Sequence, residues 1–114
     1  MTRLNIQIIY DNREGRVGPG KIRLLELLRE TGSISAAARA MSMSYRQAWL
    51  KLDEINALYG HKLFDTAQGG QGHGGATLTP TGEELIADYR RFEAETLKLI
   101  DKKYSILDKP ARKH

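Results

Sequence analysis

Apolar and polar positions alternate at the start of this chain. Leu4, Ile6, Ile8 and Tyr10 stand among Asn5, Gln7 and Ile9, a period of two that predicts a half-buried strand. The period then changes. Residues 11–20 are polar and Gly-rich, which reads as a connection, and Pro19 or Gly20 opens a helix because proline is favoured in the first turn. Ile22, Leu24, Leu25, Leu27 and Leu28 form its buried stripe, and Gly32 stands where a left-handed residue ends a helix. Ser33 can cap "ISAAARAM", a short helix whose small residues permit close packing. Ser42-Met43-Ser44 interrupts the pattern. Ser42 or Ser44 can then cap "YRQAWLKLDEINALY", in which Ala48, Leu52, Ile55 and Tyr59 recur at helical spacing before Gly60 closes it.

"HKLFD" and "ATLT" are two short strand candidates on either side of "GGQGHGG", residues 69–75, a hairpin with a long turn. Thr79 and Pro80 then read as N-cap and N1, and Thr81-x-x-Glu84 matches a capping box one turn out of phase. The helix that follows is expected to reach about Leu107, roughly 26 residues or about 39 Å. Helix, short helix, turn, helix and hairpin in this order make a winged helix-turn-helix. The expectation is a mainly α fold with a small β component: a two-stranded wing, an N-terminal strand and a long C-terminal dimerisation helix. Residues 1–82 would be the DNA-binding domain, 83–107 the dimerisation helix and 108–114 a basic tail.

Composition changes this picture in two ways. The chain of 114 residues has no Cys, which excludes disulfides, thiolate metal sites and a Cys nucleophile and fits a reducing compartment. With no apolar run near the roughly 18 residues of a membrane span and no signal-peptide pattern at Met1–Tyr10, a cytoplasmic protein without a membrane partner is expected. The net charge of +4 is carried by the end of the chain: Lys102, Lys103, Lys109, Arg112 and Lys113 face only Asp108. Residues 1–101 are therefore neutral, and the high pI mostly reports a tail that is either a solvated end or a loose attraction for nucleic acid.

Candidate chemistry concentrates on the helix after Ser44. With Ala48, Leu52, Ile55 and Tyr59 inward, its other surface presents Tyr45, Arg46, Gln47, Leu50 and Lys51. Arg pairs with guanine O6 and N7, and Gln with adenine N6 and N7. Ser42 and Ser44 can contact a phosphate through hydroxyl or N–H groups at the helix start. The plain alternative is a solvated helix face. Trp49 lies beside Ala48 and Leu52 on the wheel, which favours partial burial over base stacking. The glycine run is no phosphate-binding loop of an enzyme, because it lacks the Gly-Lys-Ser/Thr ending and joins strand to strand. His61, His73 and His114 have no partners at metal-ligand spacing, so no metal, no cofactor and no enzymatic activity are expected. On the long helix, Leu85, Ile86, Tyr89, Phe92, Thr96, Leu97, Leu99, Ile100 and Tyr104 make an apolar stripe longer than one small domain can cover. Leu85, Tyr89, Phe92, Leu97, Ile100 and Tyr104 are the expected dimerisation residues, with folding back on the same domain as the alternative.

"GSISAAARAMSMSYRQAWLKLDEINAL" and "GGQGHGGATLTPTGEELI" resemble the N-terminal DNA-binding domain of ModE-type molybdate-responsive regulators, over about residues 18 to 100. "GSIS-x-A-A" and "KLF…LT-x-x-G" are more distantly similar to LysR-type winged helices. The resemblance implies a bacterial or archaeal transcription regulator that binds double-stranded DNA as a homodimer. It also implies a glycine wing that contacts DNA, with Gln71 and His73 as its polar tip. The family often carries a basic residue there, so the neutral Gln71 implies a weaker electrostatic grip. Regulators of this type carry oxyanion-binding domains after the DNA-binding domain. This chain ends before one could begin, so no molybdate site is expected in it. The competing reading is a winged-helix protein–protein module that does not bind DNA, and the neutrality of residues 1–101 is its best support.

Overall fold

Thirteen residues with five buried aliphatics make α1 (Pro19–Thr31) the axis of the molecule. In the computed structural model, which describes residues 3–67, 75–109 and 111, this helix packs against the two helices that follow it, the long C-terminal helix and a strand of each hairpin. Pro19 stands at its start and Gly32, in the left-handed region at φ 74°, ends it as the spacing predicts. Helices α2 (Ile34–Ala40) and α3 (Tyr45–Tyr59) follow and pack on it and on each other. The shared core holds Ile22, Leu24, Leu25, Leu28, Leu52 and Ile55, all essentially free of solvent. On α3 the buried set is Ala48, Leu52, Ile55 and Leu58. Tyr59, expected inside, is only partly buried because Leu58 takes the inward position.

The N-terminal strand is a hairpin instead of a lone strand. β1 (Ile8–Ile9) pairs antiparallel with β2 (Arg16–Val17), Ile8 opposite Val17. The period-two exposure of Leu4, Ile6 and Ile8 persists through this segment, but only two residues find a ladder partner. The "connection" 11–20 supplies that partner through Val17, which is fully buried. The alternation thus reported burial correctly and strand length poorly.

The wing is β3 (Phe64–Ala67) paired with β4 (Gly75–Leu78), in register Phe64↔Leu78 to Ala67↔Gly75. Both strands lie a residue or more from the sequence expectation, and the cause is a polar joint at their base. The Leu63 N–H donates to Asn56 Oδ1 (3.0 Å), so it cannot join the ladder. Thr79 leaves β4 to cap the last long helix: its Oγ1 accepts from the Gly82 N–H (3.1 Å) and its hydroxyl donates to the Lys62 carbonyl (2.7 Å). The Thr79 N–H donates to the Leu63 carbonyl (3.1 Å). At Gly82 the first turn of this helix lies against Leu63: an added Cβ would stand 2.1 Å from the Leu63 carbonyl oxygen. The "LT-x-x-G" signature is therefore a structural joint between strand and helix.

That helix, α4 (Pro80–Lys103), has 24 residues and stops short of Leu107. Tyr104 leaves the helical region at ψ 60°, and a four-residue turn, α5 (Ser105–Asp108), follows. Lys102 and Lys103 in the last turn oppose the negative end of the helix dipole. Arg90 clamps α4 to α1 with a two-pronged bond to Glu26, Nε to Oε2 at 3.0 Å and Nη2 to Oε1 at 2.8 Å, and a further bond to Glu93 at 3.0 Å. This hydrogen bonding from Arg90 holds the Glu26 carboxyl below the usual carboxylate range despite its partial burial.

Candidate nucleic-acid interface

The turn between α2 and α3 is short and fully specified. Ser33 Oγ caps α2 by accepting from the Ala36 N–H at 3.0 Å. Ser42 then sits in the left-handed region at φ 55°, an uncommon place for a residue with a side chain. Its N–H donates to the Arg39 carbonyl (3.0 Å), and the Met43 N–H donates to the Ala38 carbonyl (3.0 Å). The chain is thereby swung from one helix to the next within the four residues Met41 to Ser44. Ser42 is thus the reversal point, and Ser44 is the cap.

The cap of α3 is reciprocal. Ser44 Oγ accepts from the Gln47 N–H at 3.1 Å, and Gln47 Oε1 accepts from the Ser44 N–H at 3.0 Å, a capping box. This restricts a sequence expectation. An adenine-reading Gln needs its oxygen and its amide NH₂ together, and the oxygen of Gln47 is already engaged. That oxygen keeps a second lone pair and Nε2 keeps both hydrogens, but the cap fixes the direction in which they point. The Ser44 hydroxyl hydrogen stays free to donate.

Beyond the cap, Tyr45, Arg46, Leu50 and Lys51 are all on the open surface of α3, with Tyr45 54% and Leu50 50% exposed. Among the described residues about half of each of these apolar side chains stays open. Trp49, expected to be partly buried, is 44% exposed; it lines a shallow hollow with Asp53, Asn56, Phe64 and Asp65 at the root of the wing. Ala48 and Leu52 fill the space beneath α3, so the indole is left on the shoulder of the helix.

The wing is pinned at its base by the Ala76 N–H, which donates to the Gly32 carbonyl at 2.8 Å. The helix end of "GSIS" and the strand of "GGA-x-LT" are therefore in contact. Gln71 and His73, together with most of the glycine run, lie outside the described residues, as does most of the basic tail.

On the long helix the six expected dimerisation residues divide. Tyr89 is 2% exposed and its hydroxyl donates to the Ile6 carbonyl at 2.8 Å. Its side chain belongs to the core of its own domain, because the N-terminal segment crosses α4 at that turn, and the expectation for Tyr89 is corrected. Leu85 also packs against that core. Phe92 and Tyr104 are about half exposed, at 49% and 47%, and Leu97 and Ile100 are partly covered. Among the described residues no group of three or more His, Asp or Glu could hold a metal, and no helix is long and apolar enough to cross a membrane.

One set of residues near α3 went unread in the sequence. Lys51 has as neighbours Arg13 and Arg16 of the N-terminal hairpin, Lys21 of α1 and Glu54. "DNREGR" read as a connection, and only the pairing of β1 with β2 brings its arginines to α3.

The profile described as "Bacterial regulatory helix-turn-helix protein, lysR family" matches residues 20–83, the span from α1 to the first turn of α4. The molybdenum-pterin-binding protein MopB of Rhodobacter capsulatus is 41% identical over 93 residues, covering 82% of this chain and 34% of the relative. The DNA-binding transcriptional dual regulator ModE of Escherichia coli K12 is 44% identical over 71 residues, 62% of this chain and 27% of the relative. The chain thus spans about a third of the length of the curated relatives it matches. Among solved structures, the CbnR DNA-binding domain in complex with DNA superposes with a TM-score of 0.59 at 20% identity, over 75% of this chain and 93% of that one. At that identity the superposition establishes the winged helix-turn-helix fold.

Proposed function

This chain belongs to the lysR family of bacterial regulatory helix-turn-helix proteins, and from that premise we propose that it is a dimeric, sequence-reading, double-stranded DNA-binding transcription regulator of the ModE type. The observation that carries the reading is the surface of α3. A helix with a complete capping box leaves Tyr45, Arg46, Leu50 and Lys51 uncovered at the end nearest the turn. A free guanidinium beside exposed apolar groups suits a major groove, where Arg meets guanine edges and apolar groups meet thymine methyls. Arg46 is the principal base reader in this reading. Ser42, Ser44 and Lys51 hold the backbone, Gln47 adds its side-chain amide, and the wing residues Gln71 and His73 reach the adjacent backbone or minor groove. The apolar side chains that α4 leaves open or only partly covered, Phe92, Leu97, Ile100 and Tyr104, pair with those of a second copy, so that two α3 helices meet two half-sites. No molybdate site or other cofactor is part of the proposal, nor is any catalysis, and the protein acts in the cytoplasm.

The neutrality of residues 1–101 favours one other reading, a winged-helix module that binds protein. A fluorescent duplex drawn from a selected-site pool, titrated at several salt concentrations, separates the two. DNA reading requires affinity that falls as salt rises, because neutralised phosphates release counterions. It also requires that Arg46→Ala change the selected sequence, at roughly 1–3 kcal/mol for a lost bidentate pair. A dimer that binds no duplex even at low salt belongs to the protein-binding reading.

A further inference from the structure

The two flanks of α3 differ in charge. On the wing side, the surface around Trp49 holds Asp53, Asp65 and one cation, Lys62. On the other side a hollow of about 620 Å³ lies between the β1–β2 hairpin, the start of α1 and α3. Four cations line it, Arg13, Arg16, Lys21 and Lys51, against the single carboxylate of Glu54. Glu54 is committed, since it pairs with Lys21. Arg13, Arg16 and Lys51 form no ion pair among the described residues. Burial, then the like charges of Lys51 and Arg16, push the Lys21 ammonium below its ordinary value. The hairpin turn also carries Asp11 and Glu14, but neither lines the hollow.

Crowded like charges on a chain whose first 101 residues are neutral overall need a reason, because each raises the free energy of the others. The cluster is also held still. Val17 is fully buried under the hairpin. Tyr10 meets Tyr59 of α3 edge to face at 5.9 Å, their hydroxyls 3.1 Å apart. Lys21 Nζ donates to the Arg16 carbonyl at 2.7 Å. The turn passes over Glu54 at Gly15, φ 96°, where an added Cβ would approach the Glu54 side chain to 2.9 Å. Lys51 lies one turn beyond Gln47, so the hollow is continuous with the surface of α3 already assigned to DNA.

We propose that the β1–β2 hairpin is a second DNA-backbone clamp, in which Arg13 and Arg16, with Lys51, hold phosphates of the strand passing beside α3 on the side away from the wing. This rests on the DNA-binding reading above and extends its footprint beyond the helix-turn-helix and wing. The ligand chemistry is a line of phosphodiesters instead of one small anion, because the cations spread over three elements along α3.

The test is a duplex titration of full-length wild type, Arg13→Ala/Arg16→Ala and Arg13→Lys/Arg16→Lys, with Arg46→Ala alongside. Both arginines are exposed and Arg16 bonds Lys21 through its backbone, so the variants keep the fold, checked by circular dichroism. The alanine pair is expected to weaken all duplexes by a similar factor and leave the selected sequence unchanged. It should also reduce the slope of log affinity against log salt by about 1.8, from roughly 0.9 per phosphate. The lysine pair should restore most of the slope. Wild-type affinity and slope in the alanine pair, while Arg46→Ala still shifts sequence preference, would overturn the clamp and leave the DNA-binding reading standing. A wild type that binds no duplex at low salt brings down both.

Discussion

Replacing Gly82 by Ala opposes two effects whose sizes follow from the structure. Ala is the best helix former and Gly among the poorest, so the change alone favours α4 by about 1 kcal/mol. The new methyl carbon, however, would stand 2.1 Å from the Leu63 carbonyl oxygen and 3.1 Å from its carbon, where real Cβ contacts do not fall below 3.0 Å. Leu63 cannot retreat easily. Its side chain is fully buried, its N–H is held by Asn56, and its carbonyl accepts from the Thr79 N–H. Relief requires α4 to shift by about an ångström. That shift breaks the Thr79 cap on Gly82 and strains the two bonds from Thr79 to Lys62 and Leu63. A lost cap costs about 1 kcal/mol, straining the two bonds about 1 together, and overpacking roughly 1–3. The net expectation is a loss of about 2–4 kcal/mol, or roughly 10–20 °C in melting temperature for a domain of this size. Gly20 is the internal control: it lies in the first turn of α1 with nothing within 4 Å of an added Cβ. Gly20→Ala should stabilise by several tenths to about 1 kcal/mol. Thermal melts by circular dichroism on both variants decide the matter. If Gly82→Ala melts at or above wild type, the strand–helix joint yields freely and the close approach is not what requires glycine there.

Leu97→Asp with Ile100→Asp places two charges on the outer turns of α4, where an apolar contact cannot solvate them. The double variant should keep its helical signal yet sediment as a monomer and lose binding to a palindromic site. Wild type sedimenting as a monomer at micromolar concentration while gripping a single half-site would contradict this. Gln47→Ala removes one arm of the α3 capping box and is expected to cost about 0.5–1 kcal/mol of stability. If the side chain only caps, base preference at selected sites stays the same, and a changed site profile would show that its amide reads a base. The Glu26 carboxyl, held low by Arg90, contributes stability that is fully present above its unfolded value of about 4.3 and is lost as pH falls through the lower folded value. Melting temperature should therefore drop more steeply below about pH 4.3 in wild type than in Glu26→Gln, and parallel acid profiles would show that the clamp adds nothing.

Elements whose signals are local were legible in the chain. Helical periodicity with Gly32 and Gly60 behind it marked α1 and α3, because left-handed termination and a buried stripe are written in a few neighbouring residues. Thr79 before Pro80 located the start of α4 for the same reason. Their order sufficed for the winged helix-turn-helix, and the surface of α3 follows from which residues its core takes. Features that depend on partners distant in the chain were not legible there. β1 needed Val17 nine residues on, so alternation alone overstated the strand. Tyr89 looked like part of an outward stripe until Ile6, 83 residues earlier, received its hydroxyl. Its place on α3 puts Gln47 among the candidate base readers, and only the coordinates show that its oxygen also caps Ser44. The cluster of Arg13, Arg16, Lys21 and Lys51 exists only in three dimensions, since charges from three separate elements meet where the hairpin folds over α3. Period and caps are properties of a segment, whereas burial and charge proximity are properties of packing, and that difference divides what could be read from what had to be seen.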